Sequence, residues 1–404
     1  MTAPAHGVPA QAPTLDLDPF SIPSLQDPFP IEDAIREAGP VVWLESHGIW
    51  ATGRADLVQQ VFLDQETFIS SHGTGLTNTA LEDNWRKPSV ILEQDQPQHT
   101  VTRKLMNSAL SLKVVKQLKD DFQAAAHAIV AEVCGRGEFD AVTDLAEAYP
   151  LQVLPDAIGL APEGREHLLT YANLNFQAMG PRDTALYEEA VNQAAEAKEY
   201  VEWQMRRENL DESRLAGKFF AAADTGTITE ETAGLLVRTF LSAGLDTTML
   251  GIGNALLALS RNPGAWSALR EDPSLARTAF EETLRCYAPS PYIGRTVGTR
   301  TELGGVVLEP EQKIVNCVSA ANRDPRRWQD PESFDITRDV RGHAAFGYGI
   351  HACVGQMMAR MEAESLLTAV ATQVQSLEVT AEPVRKINHW LRGYSSLPMR
   401  VTLK

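Results

Sequence analysis

Residues 346–355 read Phe-Gly-Tyr-Gly-Ile-His-Ala-Cys-Val-Gly (FGYGIHACVG), and the helical pattern QMMARMEAESLLTAV starts directly after them. Gly347, Gly349 and Gly355 surround one cysteine, Cys353, in a loop that brings backbone N–H groups close to its sulfur. Such a loop suits a haem-iron ligand, part of a zinc site with His351, or an inert buried thiol. Zinc takes four ligands, and this His and Cys have no matching pair elsewhere. The length and specificity of the ten-residue pattern favour the first chemistry over both others. A thiolate donates electron density to haem iron that favours O–O cleavage, and N–H groups aimed at the sulfur tune that donation. Cys353 is therefore the expected metal ligand and haem b the expected cofactor, with Phe346 and Gly355 closing the loop against it.

Upstream, an apolar periodic segment from near Thr229 to Asn262-Pro263-Gly264 reads as a helix of about 30 residues, roughly 45 Å long. Thr227 and Glu230 stand at capping-box spacing at its start. Its middle, Ala243-Gly244-Leu245-Asp246-Thr247-Thr248, holds four poor helix formers out of six. The threonines could simply bond back to carbonyls one turn earlier and bend the helix. A buried, unpaired aspartate is expensive, however, which favours a functional reading: Gly244 admits a ligand to the backbone, while Asp246 and Thr247 face a site that needs protons.

The remaining chain sets bounds. Among 404 residues there are 36 Lys+Arg against 53 Asp+Glu, a formal charge of −17 that argues against nucleic acid and anionic membranes as partners. Cys134, Cys286, Cys317 and Cys353 are too far apart for a disulfide framework. No linker or repeat divides the chain, so residues 16–404 are expected to form one domain, and the Pro/Ala-rich residues 1–15 to be disordered. No secretory signal is visible and no apolar run approaches the roughly 20 residues of a spanning helix, so a cytoplasmic protein is expected. The pattern is mainly α with a small β region: strands on both sides of Ser46-His47-Gly48 within Val41–Thr52, a hairpin in Leu303–Val318 and a last pair within Leu377–Leu403.

Glu282-Thr283-Leu284-Arg285 (ETLR) places a carboxylate and a guanidinium at i and i+3, ordinarily a solvated pair. With AGLDTT (243–248), ANRDPRRWQDPESFDITR (321–338) and FGYGIHACVG in the same order, the chain resembles the cytochrome P-450 superfamily of haem-thiolate monooxygenases. That resemblance implies a helical prism around a buried haem, the central helix over one face and the Cys353 loop beneath the other. It implies that Asp246 and Thr247 deliver protons during oxygen activation and that Gly244 leaves room for O2. Glu282, Arg285 and Arg338 become a structural cluster, not a catalytic one. His99, Arg103, Arg295 and His351 become the groups that hold the haem propionates, while His127, His167 and His389 are left as structural. Gln96, where many relatives have a second proline, is a small departure.

Over almost its whole length the chain is similar to a bacterial subfamily that oxidises para-substituted benzoates, commonly by O-demethylation of 4-methoxybenzoate. This implies an aromatic carboxylate held by Arg86, Ser89, Arg238 and Thr239 in an apolar pocket walled by Phe176, Met179, Ala243, Ile293 and Leu397. Met179 and Ile293 replace bulkier Phe of relatives, which implies room for larger substituents or cinnamates. No flavin or nucleotide segment is evident, so electrons come from an external ferredoxin served by an NAD(P)H-dependent reductase, docking near Arg103, Lys104, Arg341 and Arg360 on what is expected to be a monomer. The competing readings are a monooxygenase of a neutral terpene or fatty acid, a peroxide-driven peroxygenase, and a non-catalytic haem sensor or carrier.

Overall fold

Glu230–Ala243 and Asp246–Arg261 are two helices end to end, together the central element of the fold. The N-cap is Thr229, whose hydroxyl accepts from the Thr232 N–H at 3.1 Å, so the expected Thr227 box is displaced by two residues. At Gly244–Leu245 the helix opens. Thr247 Oγ1 donates to the Ala243 carbonyl at 3.0 Å and Thr248 Oγ1 to the Gly244 carbonyl at 3.4 Å, the back-bonding that bends helices. A Cβ on Gly244 would lie 2.7 Å from the Phe240 oxygen and 3.1 Å from Leu154. The stretch Glu230–Arg261 is in fact long and apolar enough to cross a membrane, contrary to expectation, but most of it is buried inside the protein. Apolar periodicity broken by one polar turn explains why a search for unbroken runs misses it.

The computed structural model describes residues 12–82 and 84–404. It is about half helical with a minor sheet content, as the sequence pattern indicates. Ala276–Cys286 and Gln356–Gln373 pack on the central pair, and Leu112–Cys134 lies along Gln356–Gln373. Their shared core includes Leu241, Leu245, Met249, Leu256, Phe280 and Leu366, each essentially buried and contributing about 1.5–3 kcal/mol by leaving water.

A six-stranded sheet flanks the helices in the order Thr14–Leu15, Val42–Leu44, Ile49–Thr52, Lys313–Cys317, Tyr292–Val297 and Phe68–Ile69. Thr14–Leu15 therefore belongs to the fold although disorder was expected there: Trp43 and Glu45 donate to the Pro13 and Leu15 carbonyls. Residues 1–11 lie outside the described residues. Val42–Leu44 and Ile49–Thr52 form the expected hairpin, turning through Gly48 at φ 60°. The segment Leu303–Val318 does not form one hairpin. Thr301–Leu303 pairs with Val306–Leu308 through Gly304 and Gly305, both at positive φ, as a two-residue primed turn requires. Lys313–Cys317 joins the large sheet, where every one of its residues is buried. Val374–Val379 pairs with Pro398–Leu403, the expected last pair, and Glu138–Asp140 adds a third strand.

Glu282 and Arg285 have fully buried side chains joined by two hydrogen bonds of 2.7 and 2.8 Å. Arg285 also donates to the Asn322, Pro331 and Ser333 carbonyls, tying its helix to the irregular segment before the Cys353 loop. Arg338 Nε lies 3.4 Å from Glu282 Oε1. Removing one partner strands a buried charge. Glu282→Ala is expected to lower unfolding free energy by about 3–5 kcal/mol, read from urea unfolding midpoints of the wild type and variant.

Candidate active site

Cys353 is placed by the turns that precede it. Gly347 and Gly349 take φ values of 63° and 70°, accessible to glycine without strain, and the Cys353 N–H closes the loop on the Phe346 carbonyl at 2.7 Å. The backbone N–H groups of Gly355 and Gln356 point at the sulfur, where the Gln356–Gln373 helix begins and its dipole favours negative charge. Protein surrounds Cys353 on every side, yet its side chain is accessible. The two facts agree if the sulfur lines an internal cavity. Burial pushes the thiol pKa up, opposed by those N–H groups and by the Arg103 and Arg360 guanidiniums.

The central helix presents the facing wall. Thr239, Ala243 and Thr247, spaced i, i+4, i+8, are partly or fully accessible, while Arg238, Phe240, Leu241, Leu245, Asp246 and Thr248 are buried. One stripe of a core helix therefore borders open space. Asp246 sits in the first turn of the second helical segment, 2% exposed, its Oδ2 without a hydrogen bond. Burial pushes its carboxyl up to about 6, opposed by Lys386, whose Nζ is 3.9 Å away, and reinforced by Glu147. Val142, Met249, Tyr394, Glu147 and Lys386 share a small cavity with it. Neither Glu147 nor Lys386 has a local sequence signal, since both reach Asp246 only through the fold.

A third group gathers basic side chains. His99 on the Gln98–Ala109 helix and His351 in the cysteine loop have rings 4.4 Å apart, and the Nε2 of each is buried without a hydrogen bond. Burial lowers the pKa of both, that of His99 to about 4. Arg295, 2% exposed, donates Nη1 only to the Gly294 carbonyl. Arg103, half-buried on the same helix as His99, carries its charge toward Cys353. Asp95 was not singled out from sequence. It accepts from the Ser70 and Ser71 N–H groups at 3.0 and 3.1 Å and lies 3.8 Å from His351 Nε2. Orphaned donors, a buried arginine and an accessible thiol with N–H groups behind it fit a haem: its two propionates would take the first two and its iron the third.

The residues expected to hold an aromatic carboxylate are already engaged with the protein. Arg86 donates to Asn175 Oδ1, the Lys87 carbonyl and Glu93 Oε2, and Arg238 to the Lys87 and Pro88 carbonyls. Ser89 Oγ accepts from Leu92 N at 3.1 Å, and Thr239 Oγ1 donates to the Leu235 carbonyl. Phe176 and Met179 share one apolar cluster with Leu250 and Trp390. Ile293 packs near Phe62, and Leu397 is completely buried in the main core. Of the expected docking cations, Lys104 is exposed, while Arg341 is paired with Asp339 and Arg360 with Glu281.

Comparison with known proteins agrees with this geometry. Residues 182–398 match the family model described as Cytochrome P-450. The chain is 46% identical over 404 residues to the cytochrome P-450 CYP199A2 of Rhodopseudomonas palustris, covering 100% of this chain and 97% of that one. The structure of CYP109Q5 from Chondromyces apiculatus matches with a TM-score of 0.81 at 28% identity over 96% of this chain and 99% of that one. That of the cytochrome P-450 CREJ in complex with (4-ethylphenyl) dihydrogen phosphate matches at 0.83 and 26%, covering 95% and 99%. The chain belongs to the cytochrome P-450 family. Its members are haem-thiolate monooxygenases that bind haem b through a cysteine thiolate and use O2, small-molecule substrates and redox partners.

Because the Asp246 pKa lies above its ordinary value of 3.8, the folded state keeps this proton longer than the unfolded chain does. That contribution to stability is complete below the unfolded pKa and is lost as pH rises through about 6. Asp246→Asn is therefore expected to unfold like the wild type below about pH 4 and to be more stable by about 3 kcal/mol above pH 6. Urea midpoints across pH 4–8 read the difference.

Proposed function

We propose that this protein is a bacterial cytoplasmic monooxygenase that oxidises the para substituent of an aromatic carboxylic acid, O-demethylating or hydroxylating 4-methoxybenzoate-like or cinnamate-like substrates. The observation that carries the reading is the convergence of two guanidiniums, Arg86 and Arg238, on one loop beside the accessible stripe of the central helix. Guanidinium donors close to apolar side chains suit a carboxylate with an aromatic body. A neutral terpene offers them no counter-charge, and a fatty acid offers the charge without the aromatic body.

When bound, the haem supplies the oxygen chemistry, using O2 and two electrons to put one oxygen atom into the substrate and release the other as water. Cys353 would ligate the iron, and His99, Arg103, Arg295 and His351 would hold the propionates. Arg86 and Arg238 bind the carboxylate, with the Ser89 and Thr239 hydroxyls beside them. Phe176, Met179, Ala243, Ile293 and Leu397 keep the ring dry and direct the para group. Asp246, whose carboxyl burial pushes up to about 6, takes up and releases a proton close to that pH, and Thr247 passes it on by turning its hydroxyl away from the Ala243 carbonyl. Hydroxylation of a methoxy carbon gives a hemiacetal that collapses to a phenol and formaldehyde. Electrons come from an acidic ferredoxin. A groove of about 640 Å³ beside the cysteine loop, lined by Arg277, Arg338, Arg341, His343 and Arg360 together with Glu281 and Asp339, offers it more cations than carboxylates on an otherwise acidic protein.

Spectral titration of the ferric protein with 4-methoxybenzoate and its methyl ester tests the substrate class. The acid is expected to bind at least tenfold tighter; equal affinities would remove the reading. Thr247→Ala is expected to keep NADH consumption in the reconstituted system while most reducing equivalents leave as hydrogen peroxide. Unchanged coupling of NADH to product would take away the role given to this hydroxyl.

A further inference from the structure

We infer that Glu93 sets the charge selectivity of the acid-binding end, offsetting the positive charge of Arg86 so that the end takes a monoanion and disfavours a dianion. The inference rests on the aromatic-acid reading above.

Arg86 lies on the loop before the Gln98–Ala109 helix and Arg238 on the Glu230–Ala243 helix. Both donate to the Lys87 carbonyl, at 2.9 and 2.8 Å, and Arg238 also reaches the Pro88 carbonyl at 3.0 Å. The carboxylate bonded within this group is Glu93, whose Oε2 accepts from Arg86 Nη1 at 2.8 Å and from the Ser89 N–H at 2.7 Å. The Arg86 and Glu93 side chains are only 11% and 8% exposed, so their charges act with little screening. Arg238 has no carboxylate within ion-pair distance among the described residues. Burial lowers its pKa and the neighbouring Arg86 lowers it further, opposed by Tyr171 and Glu93. Arg182, half-buried, lines a small cavity with Arg86 and Glu93 and donates to the Ala178 carbonyl and Asn84 Oδ1.

Glu93 cancels the charge of Arg86, while the charge of Arg238 stays in a poorly screened place, an arrangement that is costly until an anion completes it. One carboxylate does so. An aryl phosphate dianion brings a second charge that meets Glu93 as a like charge.

The test uses the holoenzyme with three probes of similar shape: 4-methoxybenzoate, its methyl ester and 4-ethylphenyl phosphate, their affinities measured by calorimetry and by haem spin-state titration. Glu93→Gln is expected to tighten the benzoate about tenfold and the phosphate about a hundredfold, since twice the charge doubles the Coulomb energy. The ester should not change. Asn175→Asp places an added carboxylate on Arg86 Nε, where Asn175 now accepts at 2.8 Å, and is expected to weaken the benzoate about tenfold with the ester again unchanged. This mirror-image variant keeps the idea testable if Glu93→Gln does not fold. Benzoate and phosphate affinities that are unchanged or weaker in Glu93→Gln, or a benzoate affinity unaffected by Asn175→Asp, would overturn the role of Glu93. Equal binding of acid and ester by the wild type would instead overturn the substrate class on which it rests.

Discussion

The structure is organised around a sulfur that burial alone would keep neutral. Enclosing Cys353 raises its pKa, and only directed partners oppose that: the Gly355 and Gln356 N–H groups, the start of an 18-residue helix, and two guanidiniums. Each partner needs its own support. Arg360 is paired with Glu281 and lies over the Phe346 ring at 4.4 Å, so the cation near the thiol and the aromatic residue that opens the loop hold one another in place. Glu281 precedes Glu282, and Glu282 locks Arg285 to the carbonyls at 322, 331 and 333. A short run of one helix therefore secures both the loop and the segment leading into it.

Motifs whose meaning is local were legible in the sequence. The glycines around Cys353 are needed because of φ at Gly347 and Gly349, and the Ala243–Thr248 irregularity shows as poor helix formers in an apolar run. Residues that matter only because the chain folds back were not legible. Lys386 and Glu147 reach Asp246 from distant segments, Asp95 reaches His351, and Glu93 is one of many surface-type acids until Arg86 is placed beside it. Boundaries failed for another reason. The strand pattern across Leu303–Val318 is real, but each half has a better partner than the other: two glycines close Thr301–Leu308, and the buried alternation of Lys313–Cys317 suits the middle of a larger sheet.

Charge is distributed in two regimes. The molecule is strongly acidic overall, yet several of its buried ionisable groups are cationic: Arg295, Lys313, Arg238 and, when protonated, His99. Lys313 donates to the Gly73 carbonyl and to Thr296 Oγ1, and burial together with Arg295 lowers its pKa to about 7. Buried carboxylates, among them Glu32, Glu282 and Asp324, offset part of this interior charge, and the acidic exterior keeps polyanions away from the surface.

The large sheet has a consequence for the order in which this molecule is assembled. Trp50 pairs with Ile314 and Thr52 with Asn316, so the early strands have no central partner until most of the chain exists. Such distant pairing is slow to form, and the strand that completes it precedes Cys353 by only a few dozen residues. During synthesis the hairpin Val42–Thr52 would wait with an open edge, a hazard for self-association, and the helical core would wait as well, since Leu112–Cys134 packs along Gln356–Gln373. Cofactor capture belongs to the end of that sequence, because the histidines, the buried arginine and the thiol share one enclosure only once the sheet has closed.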